Sequence, residues 1–497
     1  MITLSEKNIQ TITSPSVVKP EEKLLRLPEK ILQFGTGVLL RGLCDYLVHD
    51  ANAKGLFNGR IVVVKSTDSG GTDAFDEQNN LYTVCVRGLG NNSIIEENII
   101  CTCISRVLSA KKQWNEVLNT VHAPQLNIII SNTTEVGLQL VNEKVIGTVP
   151  ASFPGKLLAV LYERYIHLKD NGMVVIPTEL ISDNGKKLKS IVSELAVYNN
   201  MDKEFMQWLA LKVKFCNSLV DRIVTKDPGQ ELLKSIQEQL GYHDELLTMC
   251  EDYRLWAIEG DEEVKRILSF ATASDGVFVK PDIDIFKFLK LHLLNGTHTL
   301  SASLAYLAGF DIVKQGMEDI VFSSFVEKLM MNDIAEAIPY EINKEDVQKF
   351  SAKVLDRFRN PFLQHKWINI TLQNTMKMRN RNMPVILRYQ QLYNTSPEYM
   401  ATGFAGYLLF MKAVKKEENI YYGKRGNEYY AINDDQAAWF YNTWNSGEGV
   451  KPLVNKVLSN VELWGTDLSG FTAFATSVEE KLSSMINNGV RNTINNI

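Results

Sequence analysis

"ILQFGTGVLLRG", residues 31–42, narrows the possible folds more than any other stretch of the chain. A short apolar run reaches Gly35-Thr36-Gly37. Apolar residues then recur at 39, 40, 43, 46 and 47, the spacing of a helix that buries one side. "RIVVVK" (60–65) follows as a second strand. Strand, glycine turn, helix and strand make a βαβ unit, which needs a parallel sheet. "NIIIS" (127–131) and "MVVIP" (173–177) are unbroken apolar runs, as expected of parallel strands covered on both faces.

Gly35 and Gly37 occupy the first two positions of G-x-G-x-x-G, and Leu40 stands at the third. The first glycine permits a tight turn. The second lets backbone approach a pyrophosphate, and the helix start offers N–H groups to it. Thr36, Val38, Leu39 and Arg41 complete the expected phosphate cradle, with Arg41 adding charge. After the second strand, Asp68 is placed to hold a ribose hydroxyl, which favours NAD over NADP; Lys65 beside it would suit a 2′-phosphate instead. Asn132, Thr133 and Glu135 follow "NIII" and so stand where open α/β sheets place ligand contacts. A plain tight turn and solvated loop residues remain the alternative for these positions.

The chain has 497 residues, enough at roughly 150 per domain for two or three domains. "LYTVCVRG" and "NIICTCISRVL" alternate like antiparallel strands inserted on the main sheet, while residues 1–27 look like a loosely held polar arm. Beyond about residue 280 helical spacing dominates, except for a hairpin-like "NIYYGKRGNEYYAI" (419–432). The expected architecture is α/β. A Rossmann-like NAD-binding domain with inserted strands spans 25–280, followed by a mainly α-helical substrate and catalytic domain over 281–497.

A net charge of −5 argues against nucleic acid or an anionic membrane as the main partner. No apolar run approaches the ~18 residues of a membrane span, and the first residues lack the pattern of a secretory signal. Six cysteines without a C-x-x-C pair suit free thiols in a reducing cytoplasm. No His/Cys group has zinc-ligand spacing, so no metal is expected in the chemistry. The sequence points to no obligate protein partner.

In "KLHLLNGTH", Lys290, Asn295 and His298 would fall within about 140° of one another on an α-helix and span ~12 Å along it. Reducing a ketone by hydride requires a proton donor at its oxygen and hydrogen bonds for the developing alkoxide. A lysine and an asparagine can supply these, and a histidine can orient them. The competing interpretation is a helix whose polar residues only meet water.

"FGTGVLLRG", "CNSLVDRIV" (216–224) and "KLHLLNGTHT" together resemble the long-chain mannitol dehydrogenase family. That family carries the signature K-x4-N-x2-H, matched here by Lys290, Asn295 and His298. "VIPTELISDNGKKL", "LGYHD" and "RFRNPFLQHKW" look most like its sugar-acid members. The resemblance implies reversible, NAD-linked and metal-independent reduction of a small keto sugar acid. It makes Lys290 the general acid/base, with Asn295 and His298 completing the motif. It also implies substrate contacts for Asp221 and Lys377.

Two departures stand out. The C-D-N segment of polyol members is replaced by "TEL" (178–180), so that oxyanion donor is either absent or its role passes to nearby Asn184. A substrate-side arginine of those members falls near Asn369. A substrate carboxylate would seek Arg222, Lys377 or Arg379; a surface charge or structural ion pair is the alternative for each, and suits Arg379 better than the carboxylate does. Other sugar-acid or neutral-polyol activities of the same family, and a dinucleotide-binding regulator without turnover, are the alternatives.

Overall fold

The computed structural model describes every residue except 67–72, 91–92, 134–136 and 227–228. It divides into two compact units, Met1–Gly88 with Ile94–Ile283, and Leu89–Ser93 with Asp284–Ile497.

The first unit is built on a six-stranded sheet. In chain order the strands are β1 (Glu29–Phe34), β2 (Arg60–Lys65), β3 (Ile104–Ser109), β4 (Ile128–Ser131), β5 (Met173–Pro177) and β6 (Val213–Phe215). All neighbours are parallel and the spatial order is β3-β2-β1-β4-β5-β6. This is the doubly wound dinucleotide-binding order, whose direction reverses between β1 and β4. The unbroken apolar runs are explained by two cores. Ile31, Ile61, Val63, Ile128 and Ile130 enter the core on one face, whereas Leu32, Phe34, Val62, Val64 and Ile129 enter the other. Side chains alternate between faces along a strand, so a sheet covered on both sides needs apolar residues at every position.

Helix α1 (Phe153–Leu168) covers one face. Its start is set by Ser152, whose Oγ accepts from the Gly155 N–H, and by Pro154 in the first turn, where no backbone donor is required.

Two expectations are corrected in this unit. The stretch "NIICTCISRVL" is not one strand: Ser93–Cys101 joins a separate five-stranded sheet, and Ile104–Ser109 is β3 of the main sheet. The polar arm is also held. Val17–Val18 pairs with Asn98–Ile99, and Leu4, Ile9, Ile12 and Val17 are buried against Leu81, Cys85 and Tyr242. Isolated apolar residues in a polar segment show no period, yet each fills a site on the sheet it crosses.

The second unit is helical apart from a three-stranded meander over 415–431, which includes the expected hairpin. Its helices include α2 (Thr297–Leu307), α3 (Lys344–Phe358), α4 (Asn374–Arg381) and α5 (Glu398–Phe410). Helices α2 and α5 approach closely because α5 presents glycine at the contact. A Cβ on Gly403 would lie 2.8 Å from the Leu300 carbonyl oxygen, and one on Gly406 would lie 2.8 Å from Leu304 Cδ1. Gly403→Ala should therefore force the helices apart and cost about 1–3 kcal/mol. Gly470→Ala, whose Cβ would meet nothing within 4 Å, should stay within about 0.5 kcal/mol of the parent. Denaturant midpoints of the two variants check this.

Candidate active site

The glycine turn lies at the C-terminal end of β1, on the switch point between β1 and β4. Gly35 has φ +128°, and a Cβ there would sit 2.9 Å from the Asn132 carbonyl oxygen. Only glycine suits both the conformation and the space. The next two carbonyls turn inward. Gln33 Nε2 donates to the Gly35 oxygen at 3.4 Å, and Arg41 Nη1 to the Thr36 oxygen at 2.7 Å. A trans peptide sets its N–H opposite its C=O. The N–H groups of Thr36 and Gly37 therefore face away from the core.

The helical run from Val38 follows directly. It has no side-chain cap and no acidic residue in its first turn, so its leading N–H groups add to the same cradle. A Cβ on Gly37 would meet nothing within 4 Å. The backbone thus presents outward donors beneath open space, which fits a dinucleotide pyrophosphate. Thr36, Val38 and Leu39 are half-buried around it.

Arg41 has a different place from the one expected. It is 4% exposed, and besides Thr36 it holds Thr248 Oγ1 at 3.2 Å. Burial lowers its pKa, opposed by Tyr82, Asp45 and Asp244. It braces the turn from inside rather than meeting phosphate from outside. Asp45, fully buried one helical turn on, is pushed up to about 7 by burial, against the Gln33 hydrogen bond and the Arg41 charge. Gly42 supplies the tight helix packing that Leu40 cannot: a Cβ there would lie 2.5 Å from Val224 Cγ1.

At the end of β4, Asn132 Nδ2 donates to the Thr178 oxygen and Oγ1 at 3.1 and 3.0 Å. Glu179, buried, accepts from Thr133 N–H and Oγ1 and from Ser131 Oγ. Burial raises its pKa against those bonds. "TEL" is therefore a staple joining the ends of β4 and β5, a role unreadable from the sequence because its partners lie 46 to 48 residues away. Asp68 and Glu135 lie outside the described residues.

Asn184 and Arg222 are corrected. Asn184 is 0% exposed. Its Nδ2 donates to the oxygens of Pro177, Glu179 and Ser218, and its Oδ1 accepts from Gly185 and Ser218 N–H. No donor remains for an oxyanion. Arg222, 5% exposed, donates to the oxygens of Glu251 (2.8 Å) and Gly42 (2.6 Å) and lies 4.7 Å over the Tyr46 ring. It ties the core through those two carbonyls, while its Nη2 is buried without a hydrogen-bond partner. Asp221 ends the strand Ser218–Asp221, opposite Leu255.

In the second unit, Lys290 and Asn295 do not stand on a regular α-helix. Leu289–Gly296 is a π-helix that runs into α2. An α-helix would separate two residues five apart by about 140°, whereas π-turns close between residues five apart. Asn295 is thus about one turn beyond Lys290 and nearer the same side. His298 lies in the first turn of α2 and is buried. It stacks on Phe358 at 3.9 Å and meets the edges of His365 and Trp367. Burial, followed by His365, Arg357 and Arg381, holds its pKa well below the usual imidazole range, which favours the neutral ring. Its Nε2 is buried without a hydrogen-bond partner.

Helix α4 packs along this segment. Asn382 Nδ2 donates to the Gly296 oxygen, Arg381 Nη1 to Thr299 Oγ1, and the Arg381 oxygen lies 2.6 Å from His292 Nδ1. Lys377 Nζ donates to the Ile370 oxygen. Its pKa is lowered by burial and by Arg381, with Asp434 opposing. His365 is lowered by burial, then by Arg357 and Lys377. Arg357, Lys377 and Arg381 thus surround the two imidazoles with positive charge. Arg381 was missed in the sequence, where it is one of three basic residues in "KMRNR". Arg379, by contrast, turns to the Glu462 oxygen.

Residues 29–269 match the model of the mannitol dehydrogenase Rossmann domain, and residues 282–486 that of the mannitol dehydrogenase C-terminal domain. An altronate oxidoreductase of Halalkalibacterium halodurans is 36% identical, over 98% of this chain and 96% of its own. One from Yersinia enterocolitica is 35% identical, over 93% and 96%. Among solved structures, a D-sorbitol dehydrogenase in substrate-free form aligns with TM-score 0.78 at 18% identity, covering 99% of this chain and 100% of that one. Mannitol 2-dehydrogenase of Pseudomonas fluorescens, in ternary complex with NAD and D-mannitol, aligns with TM-score 0.65 at 20% identity, covering 100% and 99%.

The glycine turn makes a separable prediction. Gly37→Ala should keep the parent stability within about 0.5 kcal/mol while weakening NADH binding at least tenfold, because its methyl enters the open space above the donors. Gly35→Ala should instead lose stability by roughly 1–3 kcal/mol, from backbone strain at its φ. Thermal melts and NADH fluorescence titration distinguish the two.

Proposed function

Because this chain belongs to the mannitol dehydrogenase family, we propose that it is an NAD-dependent oxidoreductase interconverting D-tagaturonate and D-altronate. The observation that carries the substrate assignment is that two partly buried cations, Lys377 and Arg381, stand beside the segment that carries Lys290 and His298. A carboxylate prefers to pair with such cations. A sugar acid brings one, and a neutral polyol does not. The names of the similar altronate oxidoreductases agree with this assignment.

The cofactor is held by the outward N–H groups of the Thr36–Leu39 turn, with Gly35 and Gly37 keeping the space clear. Bound NADH would supply the hydride to the keto carbon. Lys290 gives the balancing proton from Nζ to the carbonyl oxygen and takes it back in alcohol oxidation. Asn295, about one π-turn away, donates its amide N–H to the same oxygen as negative charge develops. Neutral His298 offers its unpartnered Nε2 to a substrate hydroxyl and adds no further charge. Lys377 and Arg381 pair with the carboxylate, the role first sought in Arg222. Asp221 meets a substrate hydroxyl, and Asp68 selects NAD by repelling a 2′-phosphate.

Incubation with NADH and tagaturonate, fructuronate or fructose tests the assignment, and the kcat/KM order should place tagaturonate first. Equal values for fructose and tagaturonate would remove the carboxylate-anchor argument. A protein that binds NADH but turns over none of the three would be a regulator instead.

Two substitutions test the roles. Lys290→Ala should lower kcat by about 10²–10⁴-fold with NADH binding intact. The deprotonated group required for altronate oxidation should also vanish from its pH profile. Near-normal turnover with an unchanged profile would leave Lys290 as a solvated helix residue. Lys377→Met should raise KM for tagaturonate by roughly 10- to 100-fold, the loss of one hydrogen bond between charged groups, and leave any fructose KM unchanged. Equal increases for both substrates would deny it the carboxylate.

A further inference from the structure

We infer that His122, Glu163 and His167 form a binding site for one divalent transition-metal ion of the zinc class, on the outer surface of the first unit and apart from the glycine turn. Glu163 Oε1 lies 2.8 Å from His122 Nε2 and 3.3 Å from His167 Nδ1. One donor atom from each residue lies within 4.8 Å of the others, the one such grouping among the described residues. Bonds of about 2.0–2.2 Å at tetrahedral angles put neighbouring donors roughly 3.3 Å apart. His167 Nδ1 also lies 3.1 Å from the Glu163 carbonyl oxygen, a contact that an ion would replace. Two imidazole nitrogens and one carboxylate oxygen are a zinc-type donor set, and water completes the fourth position.

The backbone that carries the three residues is held firmly. Glu163 and His167 are one turn apart on α1 and face the same way. His122 comes from the turn between the helix Trp114–Thr120 and β4, and that turn is clamped to α1 by Arg164. The Arg164 guanidinium, 0% exposed, donates to the oxygens of Val121, Ala123 and Pro124, and its Nε to that of Asn171. The carbonyls on both sides of His122 are thus tied to the residue next to Glu163. The two rings stack at 3.8 Å, 30° from parallel, so they must swing apart for both in-plane lone pairs to meet one ion. Both rings and the carboxylate remain reachable from solvent, at 34%, 44% and 22% side-chain exposure.

The position rules out a part in proton or hydride transfer. His122 precedes β4, and the glycine turn follows β1. The two strands are parallel neighbours, so these positions lie at opposite ends of them. An ion here cross-links α1 to the turn before β4, holding one layer of the unit together.

The test uses the full chain, stripped with chelator and titrated with ZnCl2 by calorimetry. One zinc per chain should bind with a dissociation constant of about 10 µM or tighter. The metal should raise the melting temperature, since it binds only the folded triad. His122→Ala and His167→Ala should each weaken binding at least about tenfold. His243→Ala, at a histidine 3.9 Å from Glu245, should bind as the parent does. Co²⁺ should give the intense visible bands of a four-coordinate site, absent in His122→Ala. Binding weaker than about 100 µM, or triad variants that bind like the parent while melting normally without metal, would overturn the site.

Discussion

The first unit turns on the approach of Gly35 to the Asn132 carbonyl. That contact joins the ends of β1 and β4, where the sheet changes winding direction, and leaves no room for a side chain. From it follow the sharp exit of the chain at Thr36 and the start of the helical run at Val38. Gln33 and Arg41 then fix the direction of the peptide planes by taking the Gly35 and Thr36 carbonyls. A turn of two glycines is flexible by nature; this one is held by side chains beneath it. The cofactor site is thus an edge of the sheet's own packing.

The parallel strands, the glycine turn and the change to helices were legible because each leaves a local mark: a continuous apolar run, a dipeptide spacing, a period. The functions of single charged residues were not. Arg41 and Arg222 look like ligand-binding cations in the sequence, since nothing near them in the chain competes for their donors. In the fold both are buried and give donors to the carbonyls of Thr36, Glu251 and Gly42, although Arg222 Nη2 stays without a partner. Asn184 deceives in the same way, with its amide saturated by Pro177, Glu179 and Ser218. A guanidinium has five donors and an amide four hydrogen-bonding positions. Buried, they go to backbone groups that have no identity in a sequence.

The opposite error hid Arg381 and the His122 cluster. Arg381 is one basic residue among several, and only the packing of α4 on the π-helical segment gives it significance. His122 is 41 residues from Glu163. The spacing rules for metal ligands apply to sites made within one loop or hairpin, so a site shared by a helix and a distant turn escapes them.

The helix carrying Lys290 shows why regular geometry can mislead at a functional segment. A π-turn trades optimal hydrogen bonding for a wider loop and so persists only where packing holds it. Here the packing is visible on two sides. Asn382 and Arg381 from α4 bind the Gly296 carbonyl and Thr299, and Gly403 and Gly406 let α5 press α2 from behind. The strain buys position, because Lys290 and Asn295 come to one side while His298 is buried a turn further on. Burial also favours the neutral form of that histidine, and the Arg357 and Arg381 charges act in the same direction. A neutral ring beside Lys377 and Arg381 leaves both cations for an incoming carboxylate, so the proposed substrate anion and the uncharged imidazole are compatible neighbours on this segment.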